Sequence, residues 1–142
     1  MPLTEFYRLP DPMPHIETVL EPGEVIAAIT VPANPTTRRS HYLKVRNRAS
    51  FEFAVVSAAA ALEMDGARIR QARIALGGVG TKPWRVPRVE AALAGASLDP
   101  AALRPAAALA AQGAQGRGHN DFKIELMQRA IVRAVEIAGA RP

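Results

Sequence analysis

Alternating apolar and polar positions in the middle of the chain predict a long antiparallel β-hairpin. In residues 54–64, where the many alanines also favour a helix, one apolar face repeats at period two: Val56, Ala58, Ala60, Leu62 and Met64. The Asp65-Gly66 pair that follows favours a two-residue hairpin turn, and residues 67–76 alternate again. Strict alternation puts Arg70, Ala72, Ile74 and Leu76 on one face and Ile69, Gln71, Arg73 and Ala75 on the other.

The flanking segments predict further strands, and then helices. Residues 24–31 are rich in β-branched side chains and read as a first strand, and residues 41–45 read as a second. Helices are expected over 86–94, from Asp99-Pro100 to about Ala111, and over 121–138 with Asn120 as the N-cap. We therefore predict an α+β fold in which a three- to four-stranded antiparallel sheet has three helices packed on one face. The hairpin alanines indicate that a helix layer approaches the sheet closely.

Length and composition predict one globular domain. The chain has 142 residues, a net charge of +5, 49% hydrophobic and 22% charged residues, and no cysteine. Prolines at five positions in residues 1–23 indicate an extended N-terminal arm, so we assign the domain to residues 24–142. Without cysteine the chain cannot hold an iron–sulfur cluster or a thiolate zinc site. We find neither a signal peptide nor a membrane span, and expect a cytoplasmic protein, or a periplasmic one if a partner's signal exports the complex.

Charged residues supply candidate chemistry of a limited kind. If the chain stays extended after residue 41, Lys44, Arg46 and Arg48 form a basic stripe, either a protected strand edge or an anion site. Glu52 lies between two phenylalanines, where we expect it to pair with a neighbouring arginine. No nucleophile–base or paired-carboxylate constellation is present, so we expect no independent enzyme.

A glycine-rich segment and a single tryptophan mark the end of the hairpin. Residues 77–82, GGVGTK, lack the spacing of a phosphate-binding loop, and we interpret them as a tight connection with close backbone approach. Trp84 is either a core residue or an interface anchor. The basic excess suits nucleic acid, an anionic cofactor or an acidic partner, but aromatic residues make up only 5% of the chain, which disfavours nucleic acid.

Three stretches of the chain resemble one protein family. They are YLKVRNRASFEFAVVSAAAALEMDGARIRQARIALGGVGTKPWR, PHIETVLEPGEVIAAITVP and FKIELMQRAIVRAVEIA. Together they resemble the C-terminal domain of the FAD-binding subunit of molybdenum hydroxylases, a family that includes xanthine dehydrogenase, aldehyde oxidoreductase and carbon monoxide dehydrogenase flavoproteins. The likeness covers nearly the whole chain.

The resemblance implies a role in binding FAD and in electron transfer. Such a domain lines one side of the FAD site, beside an FAD-domain half, a molybdopterin-binding large subunit and a [2Fe-2S] small subunit. Matched to the family's motifs, Ile26 and Lys44 are expected against the flavin, and Glu52 in a loop that approaches it. The resemblance implies no catalytic residue and no metal ligand in this chain.

The family pattern places an FAD domain before this one, and Met1 lies almost at the boundary between them. The residues leave three explanations open: a truncated or split subunit, an excised domain, or a stand-alone relative without electron transfer. We expect the chain alone to be inactive and to retain no FAD. The alternative is a stand-alone basic binding module without redox activity, for nucleic acid or another anionic partner.

Overall fold

The strands lie in the sheet in the same order as they occur in the chain. In the computed structural model, which describes residues 1–141, the antiparallel sheet consists of β1 (Arg39–Val45), β2 (Val56–Asp65), β3 (Arg68–Gly77) and β4 (Trp84–Arg85). The helices are α1 (Leu3–Phe6), α2 (Pro87–Leu93), α3 (Pro100–Ala108) and α4 (Phe122–Gly139), with 3₁₀ turns at Pro35–Arg38 and Leu109–Ala111. The predicted α+β fold is confirmed, and β4 is the strand that the sequence pattern did not predict.

Helices cover one face of the sheet only. Helix α4 packs on β1 and β2, α2 packs on β3, and α3 packs on the other two helices. Facing residues of β2 and α4 are small and fully enclosed: Ala58, Ala60, Ala130, Ala134 and Ala138 are at most 2% exposed. Small side chains on both elements allow their backbones to approach closely, as the alanine pattern predicted. The largest enclosed side chains belong to the same core: Leu62, Ile69, Ile74, Leu93, Leu103 and Ile131.

The hairpin turn and a β-bulge set the register of β3. Asp65 pairs with Arg68, so the turn residues are Gly66 and Ala67, one position later than predicted. Gly66 has a φ of +56°, which suits the first position of a type II′ turn. The register then shifts between Glu63 and Met64, which leaves Arg70 as an extra residue in β3. The predicted alternation is therefore wrong at the start of β3, where Ile69 joins the buried face and Arg70 is exposed.

Three local hydrogen-bonding contacts cover the outer edge of β3. Leu76 and Ala75 pair with β4, and the Ile69 amide donates to the Ala96 carbonyl in the loop after α2. Between them, the amide of Ile74 donates to Glu90 Oε1 on α2 at 2.9 Å. A carboxylate therefore replaces the strand that would otherwise continue the ladder, which protects the edge from pairing with another chain.

Helix starts follow the predicted signals in one case and differ in another. Asp99 caps α3 by accepting a hydrogen bond from the Ala101 amide at 2.9 Å, as predicted. Asn120 is not the N-cap of α4, because its Oδ1 accepts from the Arg117 amide at 2.6 Å and closes the preceding loop instead. Within residues 1–141, no helix is long and apolar enough to cross a membrane.

The predicted strand over residues 24–31 is wrong. In the described chain this segment belongs to no strand, and its large apolar side chains are exposed: Val25 (84%), Ile26 (56%), Ile29 (80%) and Val31 (77%). The preceding arm contains α1 and one isolated bridge, between Tyr7 and Thr18. A β-branched segment is stabilised as a strand by packing on a pleated, half-buried surface, and the described residues provide no such surface here.

Candidate functional site

Strand β1 presents Lys44 on the sheet face that the helices leave open. Leu43 and Val45 pack against the core, so the alternation of the strand turns the intervening Lys44 outward. Lys44 is paired in register with Ser57 of β2, and Tyr42, two residues earlier, is 60% exposed. Lys44 makes no ion pair or side-chain hydrogen bond within the described residues. Its ammonium group is therefore available to an external acceptor.

The loop between β1 and β2 carries two exposed aromatic rings. A hydrogen bond of 2.9 Å from the Val55 amide to the Val45 carbonyl closes this loop, residues 46–54. Phe51 and Phe53 are 102% and 95% exposed. Two fully solvated phenylalanines on one loop are unusual for an isolated soluble surface and indicate a contact surface.

The predicted basic stripe is wrong beyond Lys44. Strand β1 ends at Val45, so Arg46 and Arg48 lie in the loop and do not continue the alternation of the strand. The guanidinium of Arg46 donates to the Ser50 carbonyl at 3.0 Å and holds the loop. Arg39 is also used structurally, since it donates to the Gly139 carbonyl at the C-terminal end of α4, where a cation is favourable. These uses weaken the alternative of a basic nucleic-acid module.

Glu52 lies in the same loop as the two phenylalanines and has an unsatisfied acceptor. Its Oε2 atom is buried and has no hydrogen-bond partner among the described residues. The expected pairing with a neighbouring arginine is not observed, because none of the ion pairs in residues 1–141 includes Glu52. An unsatisfied buried oxygen costs about 1–3 kcal/mol, so a partner that shifts this loop and brings a donor to Oε2 would stabilise it.

The three predicted site residues occupy separate elements. Lys44 is on β1, Glu52 is in the loop that follows β1, and Ile26 is in the exposed segment 24–31. The structure joins them by no hydrogen bond or ion pair within residues 1–141. All three nevertheless have unmet contacts: an exposed apolar side chain, a free cation and a buried acceptor.

The glycine-rich segment serves the fold at the end of the hairpin. Gly78 has a φ of +74°, and a Cβ built on it would lie 2.7 Å from the Val55 carbonyl oxygen. The expected close backbone approach is therefore confirmed at this glycine. The segment leads to β4, where Trp84 is 43% exposed and pairs with Leu76 of β3.

Sequence reasoning missed Glu90, the residue with the most polar partners near the β3 edge. Its Oε1 accepts from the Ile74 amide and from Arg85 Nε at 2.8 Å, and its Oε2 lies 2.5 Å from Arg85 Nη2 and 3.8 Å from Arg73 Nη1. The hydrogen bond to Glu90 raises the pKa of Arg85 above its usual value. No local signal identifies this residue, because Ile74 is 16 positions away in the chain.

Comparison with known proteins defines the class to which this fold belongs. Residues 41–138 match the family described as the CO dehydrogenase flavoprotein C-terminal domain. The match covers residues 41–45 of β1, the hairpin, α2, α3 and α4 up to Ala138. The chain belongs to this family.

Two proteins of known function are similar to this chain in sequence. The chain is 50% identical over 91 residues to the aldehyde oxidoreductase FAD-binding subunit PaoB of Escherichia coli (strain K12). The aligned region covers 64% of this chain and 27% of that protein. It is 34% identical over 128 residues to the carbon monoxide dehydrogenase medium chain of Afipia carboxidovorans, which covers 87% of this chain and 44% of that one. The chain thus spans less than half the length of the curated relatives that it matches.

The likeness extends to three-dimensional structure. A crystal structure of the Cu,Mo-CO dehydrogenase aligns over 97% of this chain and 48% of its own, with a TM-score of 0.80 and 32% identity. Quinoline 2-oxidoreductase from Pseudomonas putida 86 aligns over 71% of this chain and 36% of its own, with a TM-score of 0.65 and 30% identity.

Proposed function

We propose that this chain is the C-terminal domain of the FAD-binding subunit of a molybdenum hydroxylase and forms one wall of its FAD site. Membership of the flavoprotein family and the FAD-binding subunit among the relatives support this assignment. The observation that carries the proposal is the buried, unpartnered Oε2 oxygen of Glu52. It lies in the loop that follows the strand carrying Lys44. The Glu52 Oε2 oxygen and the Lys44 ammonium group both lack a hydrogen-bond partner within residues 1–141.

The polar groups on this surface suit the chemistry of a flavin ring. The ring system carries an N–H donor together with carbonyl oxygens and ring nitrogens that accept hydrogen bonds. Glu52 offers an acceptor and Lys44 a donor with a positive charge, while Ile26 offers an exposed apolar side chain. When bound, FAD supplies one- and two-electron transfer, and a cation beside it favours the negatively charged reduced form.

This wall supplies contacts to the flavin ring but none to the pyrophosphate of FAD. A pyrophosphate is usually held by successive backbone N–H groups in glycine-rich segments, and the glycine-rich segment 77–82 instead packs Gly78 against the Val55 carbonyl. We therefore assign the pyrophosphate to an FAD-domain half that contacts this chain. The exposed apolar side chains of residues 24–31, with Phe51 and Phe53, supply area that such a contact would bury.

We further assign this domain to a complex with a molybdopterin-binding large subunit and a [2Fe-2S] small subunit, which deliver electrons to FAD. The names of the relatives, a medium chain and an FAD-binding subunit, support an assembly of several chains. This chain contributes no bond-making residue to the reaction. Its role is to position and shield the flavin.

Flavin retention tests the proposal. The chain alone should purify colourless, whereas co-expression with the FAD-domain half of a relative's subunit should give a complex with visible flavin absorption. In that complex Lys44→Ala should weaken FAD retention by about tenfold, as expected for the loss of one charge-assisted hydrogen bond. Lys44→Arg should restore it only partly, because a planar guanidinium does not replace a compact ammonium.

A matched lysine provides the control. Lys82→Ala, in the glycine-rich segment, removes the same charge and should leave FAD retention unchanged. Tight, stoichiometric FAD binding by the chain alone would contradict the assigned missing half. If Lys44→Ala and Lys82→Ala complexes retain FAD equally well, the role assigned to Lys44 is wrong.

A further inference from the structure

A cleft of about 370 Å³ lies on a part of the molecule that shares no residue with the Lys44 and Glu52 surface. It is bounded by β4, the start of α2, the buried Met127 of α4 and the glycine-rich loop that precedes α4, residues 112–120 (the 112–120 loop). A second hollow of about 140 Å³ shares four lining residues with it and continues along the same loop: Val79, Ala114, Gln115 and Met127. The two hollows form one track.

All the charged side chains that line this track are cations. Arg85 is neutralised by Glu90, but Arg88 donates only to the neutral Gln112, to its carbonyl at 3.3 Å and its Oε1 at 3.1 Å. Arg117 makes no side-chain ion pair within residues 1–141. In the smaller hollow, Lys123 Nζ donates to the Gly78 carbonyl at 3.0 Å, again a neutral partner. Three positive charges along the track therefore form no ion pair within residues 1–141, and the carboxylate closest to the loop is that of Asp121, which lies against Gly116.

The same track has an apolar floor and one aromatic wall. Leu76 and Met127 are almost fully buried beneath it, whereas Trp84 is 43% exposed at its side. The backbone of Gly80 lies close to the indole, since a Cβ built on Gly80 would be 3.3 Å from the Trp84 Cε3 atom. Tryptophan is enriched among the anchor residues of protein interfaces. A ligand complementary to this track carries both an apolar group and negative charges.

We propose that the track binds an acidic peptide segment of a partner chain, with one apolar side chain against Trp84 and carboxylates at Arg88 and Arg117. An extended segment fits better than a compact anion, because the cations are held at separate points. Arg88 is anchored to Gln112 at one end of the 112–120 loop, and Lys123 is anchored to Gly78 beyond its other end. Charge complementarity steers such partners together and selects among them.

Trp84 is the only tryptophan of the chain, so its fluorescence reports on the track directly. The full chain is titrated with a short synthetic peptide of aspartate and glutamate around one leucine, and with a control peptide in which asparagine and glutamine replace the acids. We expect a saturable change in Trp84 fluorescence with the acidic peptide only. In the Arg88→Gln/Arg117→Gln variant the affinity should fall about tenfold, because two exposed ion pairs are lost.

A variant of equal net charge distinguishes the effect of the two track arginines from the effect of overall positive charge. Arg38→Gln/Arg104→Gln removes two exposed arginines outside the track and should bind the acidic peptide as the parent does. Arg117→Gln alone, a change in an exposed loop, should weaken binding without affecting the fold, which thermal unfolding checks. All measurements are made without FAD, so they are independent of the flavin proposal.

Four results would each overturn the inference. They are equal binding of the neutral peptide, no saturable change with the acidic peptide, unchanged affinity in the Arg88→Gln/Arg117→Gln variant, and equal weakening in the matched control variant. A saturable response to a nucleotide such as ATP without one to the peptide would identify the occupant as a small anion, and would equally exclude the peptide.

Discussion

Removal of the Glu90 carboxylate should destabilise the domain more than any other loss of a charged side chain on the sheet edge. Glu90 is only 10% exposed and accepts hydrogen bonds from the Ile74 amide and from Arg85. In Glu90→Ala, the Ile74 amide loses its acceptor in a part-buried position, at a cost of about 1–3 kcal/mol. The lost pairing with Arg85, itself 48% exposed, adds about 1 kcal/mol at most. The expected total is about 3 kcal/mol.

Comparison with glutamine separates the acceptor from the charge. Glu90→Gln keeps a side-chain oxygen for the Ile74 amide and should lose only about 1 kcal/mol. The free energy of unfolding is measured by urea titration, and the melting temperature of Glu90→Ala should fall by about 9 °C for a chain of this size. An arginine is charged at neutral pH in the unfolded chain, and in the folded chain the hydrogen bond to Glu90 raises the pKa of Arg85 further, so these differences should not vary between about pH 6 and 9.

An exposed ion pair on α4 provides the control. Glu125 pairs with Arg129 one helical turn later, and both side chains are largely exposed. Glu125→Ala should therefore change stability by about 0.5 kcal/mol or less. A Glu90→Ala variant within 0.5 kcal/mol of the parent would refute the edge role of Glu90. Equal losses for Glu90→Ala and Glu90→Gln would show that the charge, and not the hydrogen bond to Ile74, stabilises the edge.

Two further predictions concern the hairpin. Gly66→Val should lower the free energy of unfolding in urea by about 1–2 kcal/mol, because Gly66 has a φ of +56° and the space around its Cβ position is open, so the strain is in the backbone alone. Gly66→Asn should cost less, and a valine variant as stable as the parent would refute the turn. Ile69→Ala should lower the free energy of unfolding by about 2–4 kcal/mol and Arg70→Ala by less than about 0.5 kcal/mol, because the bulge buries Ile69 and exposes Arg70. A larger loss for Arg70→Ala than for Ile69→Ala would refute the bulge.

The structure shows the surroundings of the candidate site residues, whereas their role is our proposal. Resemblance to the family singled out Ile26, Lys44 and Glu52, and alternation along β1 explains why Lys44 is exposed between Leu43 and Val45. The pairing of Glu52 was predicted wrongly, because β1 ends at Val45 and the nearby Arg46 donates to the Ser50 carbonyl instead of to the Glu52 carboxylate. Arg88 and Arg117 were not singled out, since residues 29 positions apart line one cleft only when the 112–120 loop folds against α2.

Local sequence determined the hairpin, the three core helices and the side of the sheet that they cover. Period-two alternation, an Asp-Gly turn and helix start signals act between near neighbours, so the sequence pattern reveals them directly. Tertiary structure alone decided the bulge at Arg70, the short strand β4 and the Glu90 acceptor, because each depends on a partner distant in the chain. It also decided that residues 24–31 form no strand here. Their β-branched side chains favour an extended chain, but a strand forms only where another strand supplies hydrogen bonds and a face to pack on.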